Sequence, residues 1–83
     1  MKTGVITKFE KNGLGELEAH TTKKTYKFHA SVIVNSNVTY TDILITDDLL
    51  TKYTPGTKVE FKIVKVLLKE IAIDINKIDT YNF

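Results

Sequence analysis

Few side chains in this 83-residue chain are of a kind that performs covalent chemistry. There is no cysteine, which removes thiolate nucleophiles, disulfides and thiolate zinc sites together. His20 and His29 have no third ligand near them in sequence, so no metal site is expected. Asp47 and Asp48 are adjacent carboxylates, but no nucleophile, histidine or glycine cradle accompanies them, and they read instead as the acidic start of a helix. Threonines such as Thr21 and Thr22 suit strands and turns and form no catalytic arrangement. The expectation is a protein that binds, is not an enzyme, and carries no cofactor.

What remains for binding is a set of lysines and a few rings. All twelve basic residues are lysines, so an anion would be met by point charges and not by the guanidinium fork that reads guanine or clamps phosphate. A net charge of +2 permits nucleic acid without demanding it, and its mixed signs argue against a membrane surface. Lysines 58, 62, 65 and 69 do not keep to one face of a regular strand, and Glu60 lies among them; they read as a solvated face. No apolar run approaches the roughly 18 to 20 residues that span a bilayer, and none follows the first lysine, so a cytoplasmic protein with no membrane partner is expected.

The elements that must position these groups are strands. One domain, residues 1–83, is all that the length allows, and a barrel or small sandwich fits it. Residues 2–9 mix Thr, Val, Ile and Phe, with a break in alternation that a bulge near Ile6 and Thr7 resolves. Asn12-Gly13 is a hairpin signal leading into a second strand over residues 15–20, in which Leu14 and Glu16 share one face and Gly15 and Leu17 the other. A third strand over residues 25–34 puts Tyr26 and Phe28 on the core side and Lys27 and His29 on the opposite one. Asn35, Ser36 and Asn37 end this meander.

Residues 38–45 are expected to add a short strand, followed by a helical turn or two from Asp47 that buries Leu49, Leu50 and Tyr53. Pro55-Gly56 signals a type II turn. A long fourth strand follows over residues 59–68, then a turn at Lys69-Glu70 and a last strand with Ile71, Ile73 and Ile75 on one face. The tail from Asp79 shows no element. A meander, a longer connection and a final strand pair make an all-β fold, a small five-stranded Greek-key barrel of the OB type.

Four blocks carry a family resemblance: Thr3-Gly4-Val5-Ile6-Thr7-Lys8-Phe9, Asn12-Gly13-Leu14-Gly15-Glu16-Leu17, Tyr26-Lys27-Phe28-His29-Ala30-Ser31-Val32-Ile33, and Pro55-Gly56-Thr57-Lys58-Val59-Glu60-Phe61. In this order they resemble the cold-shock domain. The resemblance implies binding of single-stranded nucleic acid, chiefly RNA, on the face of strands one to three, where aromatic side chains stack on bases. This chain departs there: the family's aromatic positions fall on Lys8, Leu14, Glu16, Lys27 and Ala30, while Phe9 and His29 keep a ring. The expected nucleic-acid-binding set is therefore Lys8, Phe9, Lys11, Leu14, Lys23, Lys27 and His29, with weak and salt-sensitive affinity for RNA or DNA. The alternative is the same barrel serving a protein partner or homodimer, prompted by the mixed polar face and by the apolar Ile43, Leu44 and Ile45 in the long connection.

Overall fold

The computed structural model describes residues 2–78 and shows an all-β chain closed into a five-stranded barrel. The elements are β1 (Lys2–Phe9), β2 (Leu14–Ala19), β3 (Thr25–His29), a 3₁₀ turn (Ala30–Val32), α1 (Asp47–Lys52), β4 (Lys58–Val66) and β5 (Lys69–Lys77). Around the barrel the order is β1-β2-β3-β5-β4, with β4 returning to β1 and all pairings antiparallel except β3 with β5. The expected tail, with Tyr81 and Phe83, lies outside the described residues.

The β1–β2 hairpin forms where Asn12-Gly13 calls for it. Glu10 O accepts from Gly13 N at 2.9 Å, Asn12 Oδ1 accepts from Leu14 N at 3.0 Å, and Gly13 takes φ +89°, a conformation that glycine enters without penalty. The β1 bulge lies between Ile6 and Lys8, where alternation breaks in the sequence. Pro55-Gly56 turns as expected, with Gly56 at φ +95° and Thr57 N donating to Thr54 O at 3.0 Å. Inside the barrel, Ile6, Leu17, Tyr26, Phe28, Val59, Phe61, Ala72 and Ile75 form the core, which Ile45 and Tyr53 join from the long connection. Leu49 and Leu50 pack against it from α1, as the apolar spacing anticipates.

Four expectations are corrected. β3 ends at His29 and not at residue 34, because the Nδ1 of His29 accepts from Ser31 N at 3.0 Å and starts the 3₁₀ turn. Residues 38–45 form no strand. Each strand of the closed barrel already has partners on both sides, so a sixth finds no free edge, and residues 39–42 fold into a turn instead. The β4–β5 turn falls on Leu67 and Leu68, not on Lys69-Glu70, with Val66 paired to Lys69. Finally, Asp74 adopts φ +52° and forms a bulge opposite Phe61; the inward residues of β5 are thus Ala72 and Ile75, where simple alternation puts Ile71, Ile73 and Ile75 on one face.

Candidate nucleic-acid interface

Cross-strand register builds the outer face of β1, β2 and β3 from rows of paired residues. Lys8 lies opposite Glu16, and Glu16 opposite Lys27, so a carboxylate stands between two ammonium groups. The next outward row pairs Leu14 with His29. Lys8, Leu14 and Lys27 line a shallow depression of ≈ 160 Å³ floored by Gly15 and Phe28. A second depression of ≈ 190 Å³ continues past Leu14 and Lys27 to His29, Tyr40 and Ile71, so the two form one trough.

Glycine 15 makes the floor. A Cβ there would stand 2.8 Å from the Cε1 of Phe28 and 2.9 Å from the carbonyl oxygen of Lys8, so the bare backbone is what lets the Phe28 ring slide beneath the strand.

The trough is nearly balanced in charge. Lys8 Nζ meets Glu10 Oε1 at 3.0 Å, and its ammonium is held above its ordinary pKa first by that hydrogen bond, then by the charges of Glu10 and Glu16. The pair is exposed, so it contributes little to stability. Its effect is on the field: two lysines and two glutamates attract a phosphate much less than a bare lysine row would.

Of the expected residues, Lys8, Leu14, Lys27 and His29 come together at the trough. Phe9 does not join them. The bulge after Ile6 leaves Lys8 outward and turns Phe9 onto the row of Gly15 and Phe28, where its ring packs at 5.8 Å from that of Phe28. Lys11 stands on the β1–β2 turn, its carbonyl accepting from Ile45 N at 2.7 Å. Lys23 sits at the other end of the sheet, in the β2–β3 turn with φ +60°.

His29 faces outward but is only 8% exposed, because the ring of Tyr40 lies on it at 4.4 Å between centroids and 25° between planes. Sequence reasoning left Tyr40 unassigned. Its placement depends on the turn of residues 39–42, in which Asp42 Oδ2 accepts from Thr39 N at 2.7 Å and Asp42 N donates to Thr39 O at 3.2 Å. The turn holds Tyr40 at its corner with the outer ring face open, the residue being 67% exposed. An exposed ring braced from behind by a second ring, beside Leu14 and Lys27, can take an apolar planar group by stacking.

Among the described residues no cluster of three histidine, cysteine or carboxylate side chains is placed to hold a metal, and no helix is long and apolar enough to cross a membrane. Comparison of the chain with protein-family models, with curated proteins and with solved structures finds no match.

Proposed function

We propose that the chain is a small cold-shock-like OB module, acting in the cytoplasm, that binds single-stranded nucleic acid, chiefly RNA, across the trough on β1, β2 and β3. The barrel order β1-β2-β3-β5-β4, closed by a parallel β3–β5 contact, supports the Greek-key OB reading. The observation that carries the functional reading is Tyr40, an open ring stacked on His29 at the mouth of a lysine-flanked trough. A base stacks on the outer face of Tyr40, extending the His29–Tyr40 pair by one ring, while Lys8, Lys27 and the more distant Lys11 and Lys23 meet phosphates. Phe9 supports Phe28 from below and does not touch the base.

With Glu10 and Glu16 offsetting the trough lysines, the ring supplies more of the affinity than the charge does. Loss of one stacking platform costs roughly 1 to 3 kcal/mol, about tenfold or more in affinity. Neutralising two or three phosphates gives a slope of log K against log salt of roughly −2.

Fluorescence anisotropy with labelled single-stranded RNA and DNA at low salt tests this. Micromolar binding should be weakened about tenfold by Tyr40→Ala and abolished by Lys8→Glu with Lys27→Glu. Absence of binding at high micromolar protein refutes the reading, and so does binding that Tyr40→Ala leaves unchanged.

A further inference from the structure

The β4–β5 hairpin ends in a feature that neither the fold nor the trough uses. Leu67 and Leu68 form its two-residue loop with φ +48° and φ +70°, the arrangement of a type I′ turn, for which Asn-Gly is the favoured sequence. Leucine pays for this conformation sterically. It gains no burial in return, since Leu67 is 93% and Leu68 89% exposed. Turn chemistry and core packing both argue against leucine here, and neither gives these side chains a role inside the barrel.

The charges around the tip are not balanced. Glu70 is held by Lys24 at 2.7 Å and Asp74 by Lys62 at 3.7 Å, which leaves Lys65 and Lys69, on either side of the leucines, without an ion pair among the described residues. The tip is an apolar knob with a positive collar.

A matching socket lies on the same chain. Between residues 35–38 and α1 is an open depression of ≈ 420 Å³ with Val38, Leu44 and Leu49 on its walls. Asn35, Ser36, Asn37 and Thr46 complete the lining, together with Asp42 and Asp48 and with Lys52 as the opposing charge. It is concave where the knob is convex, it offers Val38, Leu44 and Leu49 to the leucines among polar neighbours, and its two carboxylates outnumber its one ammonium where the collar is basic.

We propose that the Leu67-Leu68 tip docks into this depression on a second copy of the chain, with Lys65 and Lys69 facing Asp42 and Asp48. Knob and socket lie at opposite ends of the barrel: the Lys24 to Glu70 bond ties the tip to the β2–β3 turn, and the Ile45 to Lys11 bond ties the socket loop to the β1–β2 turn. One molecule therefore cannot satisfy both surfaces on itself. The contact is head to tail, and repetition extends an open row of copies unless its rotation closes a ring.

Sedimentation velocity from about 10 μM to about 1 mM protein reads the assembly directly. Wild-type mass should rise with concentration and pass the dimer. Leu67→Asn with Leu68→Gly removes the knob while giving the turn its favoured residues, and Leu44→Lys places a cation in the socket at an exposed position; each alone should raise the dissociation constant at least about tenfold. Mixing the two variants should restore one productive contact per pair and stop at a one-to-one dimer. None of these changes touches Tyr40, Lys8 or Lys27, so the result is independent of oligonucleotide binding. A wild type that stays monomeric throughout overturns the proposal, as do variants that assemble like wild type or a mixture that forms no dimer. A monomer that co-sediments with anionic but not neutral vesicles overturns it in favour of a lipid surface.

Discussion

Replacing Leu67 and Leu68 by Asn and Gly should make the protein more stable, although it deletes two of its larger apolar side chains. The left-handed conformation costs a non-glycine residue roughly 1 to 2 kcal/mol, and both leucines pay it. Asparagine tolerates that region better and glycine occupies it freely, so most of the cost is relieved. Against this stands the extra freedom that glycine gives the unfolded chain, about 0.5 to 1 kcal/mol. The hydrophobic loss is small because the leucines bury almost nothing at 93% and 89% exposure. The net gain is about 1 to 2 kcal/mol, which for a domain of this size raises the melting temperature by roughly 5 to 15 °C.

Thermal unfolding followed by far-ultraviolet circular dichroism at low micromolar concentration measures this gain. Low concentration matters, because self-association would stabilise the wild type by mass action and mask part of it. A melting temperature that is unchanged or lower in the variant would refute the reasoning, since it would mean that the leucines stabilise the monomer itself or that the turn is not left-handed at both positions.

Two further outcomes follow from the geometry of the sheet. Gly15→Ala forces a methyl group against the Phe28 ring and the Lys8 carbonyl and should destabilise by about 1 to 3 kcal/mol, read as a lower urea midpoint; an unchanged midpoint would show that the floor of the trough is not tightly packed. The carboxyl of Glu70 is held below its ordinary pKa of 4.5, chiefly by the hydrogen bond from Lys24 and then by that lysine's charge. A lowered folded-state value gives stability that is present above the unfolded value and is lost as pH falls through the folded one. The small stability difference between wild type and Glu70→Gln should therefore be steady from neutral pH to about 5 and vanish further into acid; a difference that persists near pH 2 would contradict the pairing.

Local signals were readable in the chain wherever a residue type has a strong conformational preference. Asn12-Gly13, Pro55-Gly56, the acidic start of α1 and the broken alternation at Ile6 each fixed an element or a turn, and the meander followed from them. Leu67-Leu68 carries no turn signature, so the last turn was displaced by two residues until barrel closure, with Lys27 opposite Ile71, set the register. The same closure imposed the bulge at Asp74, which no local pattern announces. The resemblance puts Phe9 on the nucleic-acid face, whereas the bulge between Ile6 and Lys8, itself legible in the broken alternation, turns Phe9 onto the row of Gly15 and Phe28. Tyr40 was beyond reach altogether, because its role depends on a turn eleven positions after His29 folding back over the sheet, a contact that sequence spacing does not encode.

The β3–β5 joint has a bearing on motion. Among the strand pairs of the described residues it alone is parallel, and its register rests on Lys27 opposite Ile71, with Ile33 opposite Ile75 as a second, isolated parallel bridge beyond the strand end. Every other neighbouring pair shares a longer ladder. Opening of the barrel short of global unfolding thus starts along this seam. Tyr40, Lys27 and Ile71 all border it, so a strand of nucleic acid laid along the trough would span the seam like a suture, and its binding energy would also resist the barrel's breathing.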